Sequence, residues 1–269
     1  MNLNKIIKLI DLDLGNQKKG KQLEGRRGFF KSAGDLSSKA ILASLPLALS
    51  FMPKVAKAQA SSVTDVLNFA LTLEYLEDEF YKMGLDASGL IPASDRNIFM
   101  QISKHESAHV TFLKSALGTA AVAKPNFDFT AGGTFASAFT NYMTFLTLSQ
   151  AFEDTGVRAY KGQAGNLIGD NNTLKAALQI HSVEARHASE VRRLRGEIMG
   201  QDIKGWIPGK ESNGAPSSIY EGEENITHAG ASLDSISSLT SLTSNAKTEA
   251  FDEPLTKEQV LSIVTPFLA

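Results

Sequence analysis

No cysteine occurs among the 269 residues, which excludes disulfides, iron–sulfur clusters and zinc–thiolate sites and leaves oxygen and imidazole as the metal donors on offer. A bacterial lipid anchor, which requires a cysteine, is excluded with them. Long hydrophobic runs are scarce as well. The most apolar stretch, Ala40 to Met52, is about a dozen residues long with Pro46 inside it, too short to cross a bilayer. A basic excess is missing from the body of the chain, where residues 61–269 carry 16 Lys or Arg against 25 Asp or Glu. Nucleic acid is therefore not an expected partner, since binding phosphates needs a basic face. Proline is absent from four long segments, about 62 to 85, 95 to 117, 134 to 162 and 173 to 199, so no ring interrupts a helix there.

The remaining composition, 42% hydrophobic and 21% charged, suits one good-sized core plus tails. Residues 1 to 60 hold 11 Lys or Arg against 4 Asp or Glu, the opposite balance to that of residues 61–269. Arg26-Arg27-Gly28-Phe29-Phe30-Lys31 resembles a twin-arginine export signal, with Gly25 where that pattern usually has Ser or Thr. Ala40 to Met52 fits its apolar region and Ala58-Gln59-Ala60 its cleavage site. Residues 1–60 are accordingly expected to be an export signal, and the mature protein to be periplasmic without a stable membrane anchor.

All four proline-free segments show helical periodicity, and Ser94 and Thr173 are candidate N-caps, with Gly84, Gly118, Gly165 and Gly200 near the C-terminal ends. Short loops join the first to the second and the third to the fourth, which predicts two antiparallel hairpins. The longer stretch of about 118 to 133 can run end to end between them. The expectation is an all-α fold, a four-helix bundle over residues 61–200 with one long crossover. Residues 201–269 read as an irregular Ser/Gly-rich extension with a short terminal helix near Lys257 to Val264.

Each of these helices places an acidic group on its apolar face. Glu74 lies on the stripe of Leu67, Leu71, Asp78 and Tyr81, and Glu153 on that of Leu146, Gln150, Val157 and Tyr160. The second helix sets Glu106 and His109 among Phe99, Ile102 and Leu113; the fourth sets Glu184 and His187 between Ile180 and Val191. Four carboxylates in one core are costly unless a cation compensates them. The two halves also repeat. Glu and Tyr are seven residues apart in Glu74–Tyr81 and Glu153–Tyr160, and Glu and His three apart in Glu106–His109 and Glu184–His187. A Glu and a His at i, i+3 point at one inward spot.

This set of four Glu and two His resembles that of the ferritin-like di-iron and di-manganese carboxylate proteins, over residues 62 to 199. The text from Asn68 to Glu77, Asn-Phe-Ala-Leu-Thr-Leu-Glu-Tyr-Leu-Glu, and the closing Ala250-Phe-Asp-Glu-Pro-Leu255 are similar to an exported branch that includes desiccation-related proteins. The resemblance implies two Fe or two Mn ions, with Glu106 and Glu184 bridging them, Glu74 and Glu153 as terminal carboxylates, and His109 and His187 as terminal imidazoles.

Around these, Tyr81 and Tyr160 are candidates to hydrogen-bond the carboxylates across the pseudo-twofold axis, Tyr81 to Glu153 and Tyr160 to Glu74. His181, one turn before Glu184, is a candidate proton carrier, and Asp78 a candidate to hold metal or water. His105 is expected to face away, Glu77 and Glu79 to be solvated, and the run Arg186, Arg192, Arg193, Arg195 to form the solvated face of the fourth helix. Trp206 has no assignable role. The expected function is a di-metal oxidoreductase acting on Fe(II) with dioxygen or peroxide, or on peroxide directly. The alternative is a non-enzymatic metal-binding stress or desiccation protein. Metal ions and dioxygen or peroxide are the expected partners, and a homo-oligomer is compatible with the fold. A storage cage is disfavoured because the text after Gly200 does not read as a long fifth helix.

Overall fold

Helix formation starts at Ser62, whose hydroxyl accepts from the Asp65 amide while the Asp65 carboxylate accepts from the Ser62 amide, a reciprocal cap. The first helix, α1, spans Val63–Asp86, and α2 spans Arg96–Leu117. After the crossover, α3 covers Tyr142–Ala164 and α4 covers Asn171–Met199. The computed structural model describes residues 62–269; the export signal read in residues 1–60 lies outside them. No helix among the described residues is long and apolar enough to cross a membrane.

α1 packs along α2 and α3 along α4, with α1 also meeting α3. This is the ferritin-like bundle of two hairpins and one crossover. Two apolar clusters flank its middle. The smaller gathers Val66 and Leu71 of α1, Leu113 and Leu117 of α2, Tyr160 of α3 and Ile180 of α4. The larger is aromatic: Phe80 stacks on Phe145 with centroids 4.8 Å apart and meets Phe152 edge-on at 5.0 Å.

Four boundaries differ from expectation. α3 begins at Tyr142, not near 134, because the Asn141 side chain caps it by accepting from the Thr144 amide. Residues 134–140 form turns, although Phe135 and Phe139 still pack against the core. Thr173 does not cap α4; Asp170 does, accepting from the Thr173 amide and hydroxyl. The position before α2 is Asp95, with no side-chain cap bond; its carboxylate accepts instead from the Tyr142 hydroxyl at 2.8 Å. Gly84 lies inside α1.

The extension is irregular, with a two-residue hairpin of β1 (Thr227–His228) and β2 (Ala231–Ser232), a short α5 (Ser244–Thr248), and α6 (Lys257–Val264) capped by Thr256. It packs on α3, where Gly162 has no side chain and lets the Leu255 carbonyl approach so closely that a Cβ would collide with it. Beneath it three arginines are fully buried, which corrects the expected solvated arginine face of the fourth helix. Arg192 donates from Nε and Nη2 to Asp154 at 2.9 and 2.7 Å. Arg195 donates to Gln150 and to the Asn213 carbonyl. Arg158, on α3, pairs with Glu223 at 2.8 Å and donates to the carbonyls of Ile219, Glu221 and Glu253. Arg192 faces the Asp154 carboxylate and Arg158 that of Glu223, while Arg195 is held by neutral oxygens, so of the run Arg186 and Arg193 remain exposed.

Candidate metal centre

Between the two apolar clusters the side chains of Glu74 (α1), Glu106 and His109 (α2), Glu153 (α3), and Glu184 and His187 (α4) meet. The four glutamates are 0% exposed and His187 5%. His109 Nδ1 lies 3.1 Å from Glu74, 3.0 Å from Glu106 and 3.3 Å from Glu184. His187 Nδ1 lies 2.8 Å from Glu106 and 3.3 Å from Glu153. Two overlapping groups result, Glu74–Glu106–His109–Glu184 and Glu106–Glu153–Glu184–His187. Within each, one donor atom per residue lies within 4.8 Å of all the others. Glu106 and Glu184 belong to both.

Hydrogen bonds alone do not satisfy this cluster. Glu106 Oε1, Glu153 Oε2, both oxygens of Glu184 and His187 Nδ1 are buried without a hydrogen-bond partner, although several lie within about 3 Å of one another. They point at shared space instead of along donor–acceptor lines. One nitrogen, His109 Nδ1, faces three carboxylates and has at most one proton for them. Orphaned buried oxygens and an imidazole nitrogen converging from three helices, beside Glu74 of the fourth, fit a metal cation.

The electrostatics agree. Burial pushes Glu74 up to about 7 and Glu184 well above the usual carboxylate range, with neighbouring carboxylates adding to it. Glu153 is raised by burial too. Glu106 alone falls, to about 2, because the adjacent His109 and His187 imidazoles outweigh its burial. In the same way the carboxylates overcome burial of the imidazoles and lift His109 to about 12 and His187 to about 11. The site therefore demands positive charge.

Both tyrosines reach across the bundle. Tyr81 donates to Glu153 and Tyr160 to Glu74, each at 2.5 Å. As each tyrosine lies two turns beyond its own helix's glutamate, this exchange requires α1 and α3 to run antiparallel. Burial and the facing carboxylate raise both phenols well above their ordinary range, so they stay protonated donors.

His181 is not brought in: its Nδ1 donates to the Val157 carbonyl at 3.0 Å, and it makes no bond to the six. Asp78 is occupied by Ser107 at 2.5 Å and Lys82 at 2.6 Å. Glu79 pairs with Lys124 at the surface. His105 does not face away; its Nδ1 sits 2.8 Å from His187 Nε2, the rings stacked with centroids 5.1 Å apart. A His187 Nε2–H donated to His105 frees the Nδ1 lone pair to face the cluster. Glu77 is not solvated but 3% exposed. Trp206 lies under the Arg193 guanidinium, 5.8 Å from its ring centroid.

In comparison with known proteins, the ferritin-like domain family matches residues 62–197, the same four helices. No curated protein matches the chain.

Proposed function

Because this chain belongs to the ferritin-like domain family, we propose that its bundle core binds two iron or two manganese ions and serves as an oxidoreductase acting on Fe(II) with dioxygen or peroxide, or on peroxide itself. The observation that carries the reading is the convergence of four buried carboxylates and two imidazoles, of which Glu106, Glu153, Glu184 and His187 have buried atoms without hydrogen-bond partners. Glu106 and Glu184, common to both groups, would bridge; Glu74 with His109, and Glu153 with His187, would complete one position each. Iron or manganese held there supplies one-electron redox change next to an oxygen substrate.

The protein's own groups divide the remaining work. Tyr81 and Tyr160 fix the rotamers of Glu153 and Glu74 and place an O–H proton at each carboxylate. His105 orients His187 by accepting at Nδ1 and holds its own proton at Nε2, with Gln101 beyond it at 2.6 Å on the exposed side. A pocket of about 250 Å³ lined by Leu67, Phe112, Leu113, Tyr160, Ala177 and Ile180 reaches the ring of Tyr160. Its apolar wall suits a small uncharged oxidant better than a hydrated cation.

Metal analysis after reconstitution with Fe(II) or Mn(II), then Fe(II) oxidation and peroxide turnover on the same sample, tests the reading. Two ions per chain and turnover in either assay are expected. Failure to bind metal refutes it, and two ions without turnover would leave the non-enzymatic metal-binding reading in its place.

A further inference from the structure

Glu77 is one turn beyond Glu74 on α1, three residues along, the spacing that separates Glu106 from His109 and Glu184 from His187. It is 3% exposed and makes no hydrogen bond or ion pair among the described residues. A buried carboxylate in that condition is expensive unless something else satisfies it. By the internal repeat, the residue matching Glu77 on α3 is the one three beyond Glu153, and that residue is Gly156. A Cβ placed on Gly156 would stand 3.1 Å from Glu77 Oε1 and 3.0 Å from Glu184 Oε2. The missing side chain of one half thus makes the space that the extra carboxylate of the other half fills, and that space adjoins Glu184, common to both donor groups, although Glu77 as its side chain stands belongs to neither.

We propose that Glu77 is a seventh donor of the metal centre, supplied by one half of the bundle only, which makes the two metal positions unequal. The inference rests on the reading of the six residues as ligands. An added carboxylate oxygen strengthens one position for a hard divalent ion and leaves the other with the donors it already has.

The test is stepwise titration of metal-free protein with Mn(II) alone, monitored calorimetrically, on wild type, Glu77→Gln, Glu77→Asp and, as a surface control, Glu79→Gln. Wild type is expected to take up two equivalents in two resolved steps. Glu77→Gln is expected to weaken one step by at least about 10-fold, the scale on which even the loss of a ligand's outer partner acts, and to spare the other step. Glu77→Asp keeps the charge but withdraws the carboxyl by one methylene, and is expected to lose the same step. Glu79→Gln should titrate like wild type. Metal-free Glu77→Gln should melt no lower than metal-free wild type, since an unpartnered buried carboxylate is replaced by a neutral amide of the same shape. Wild-type binding constants in Glu77→Gln would overturn the proposal and leave the six-ligand centre standing. So would full retention in Glu77→Asp, which would show that the charge acts without bonding. If wild type itself takes up no Mn(II), the six-ligand reading falls and this one with it.

Discussion

Replacing Asp154 by Asn should destabilise the protein far more than any surface change, because Asp154 anchors the extension to the helix that carries Glu153. Its carboxylate is buried and receives Arg192 through two nitrogens at 2.9 and 2.7 Å and the Tyr220 hydroxyl at 2.7 Å. Arg192 is 0% exposed, so Asp154→Asn leaves a guanidinium in the interior without its counter-charge. Breaking a buried pair in this way costs about 3–5 kcal/mol. For a folded unit of this size each kcal/mol lowers Tm by about 2–4 °C, so the expected drop is about 6–20 °C. Thermal unfolding of metal-free protein by circular dichroism measures it. The single tryptophan, Trp206, reports on the extension separately, since its carbonyl accepts from Arg192 and its ring lies under Arg193; its fluorescence should change ahead of the helical signal. Lys210→Ala is the comparison. That lysine pairs with Glu221 and Glu224 at 2.9 and 2.6 Å in an exposed setting, where solvent screens the pair, and its loss should barely move Tm. The double change Asp154→Leu with Arg192→Met should recover most of the loss, as apolar replacements of buried pairs do. An Asp154→Asn shift no larger than that of Lys210→Ala would refute the anchoring role.

His109→Ala and His187→Ala should each lose most of one metal equivalent by elemental analysis, whereas His105→Ala should keep both ions but weaken binding by about 10- to 100-fold, as expected for a residue that orients a ligand. Tyr81→Phe and Tyr160→Phe should leave the metal-free Tm within a few degrees yet slow Fe(II) or peroxide turnover; unchanged turnover in both would reduce the phenols to packing. Metal-free protein should lose stability as pH rises from about 4.5 to 7. There the folded state holds protons on Glu74, raised to about 7 chiefly by burial, and on Glu223, likewise raised to about 7, while the unfolded chain has released them. Reconstitution with metal should flatten the Glu74 share, and urea midpoints at pH 5 and 7 measure both. For the export signal proposed in residues 1–60, Arg26→Lys with Arg27→Lys should leave precursor in the cytoplasm, and fractionation showing normal export would exclude the twin-arginine route.

The six converging residues are legible in the sequence because two independent regularities agree. Glu106–His109 and Glu184–His187 lie on apolar helix faces, and the halves repeat with matched Glu–Tyr spacing. The crossing of Tyr81 to Glu153 and of Tyr160 to Glu74 comes from the same repeat, since two turns of helix carry a phenol past its own glutamate. Helix periodicity does less well at the start of α3. Phe135, Ala138 and Phe139 recur at helical spacing, and all three do pack inward, but from turns that come after Gly132 and Gly133, both at positive φ. Apolar spacing records which side chains reach the core and not which backbone delivers them.

The misread charges share a different cause. Arg192, Arg193 and Arg195 look alike in the sequence, yet which face of α4 meets water depends on Asp154 and Gln150 of another helix and on the Asn213 carbonyl of a segment without periodicity. Those partners carry no local mark. His105 precedes Glu106 by one residue, a rotation of about 100°, and that turns it from the bundle axis onto the seam with α4, where His187 Nε2 waits. Glu77 is the instructive case, because its signal is present in the sequence. It obeys the same i, i+3 rule as the two histidines, and is masked only because Asp78 and Glu79 beside it make the stretch look like a solvated acidic run. What decides its fate sits 79 residues away, at Gly156, where the repeat omits a side chain. A departure from internal symmetry at a buried position therefore carries as much chemical information as the symmetry itself, since the atoms missing from one half set the space into which the other half can direct a charge.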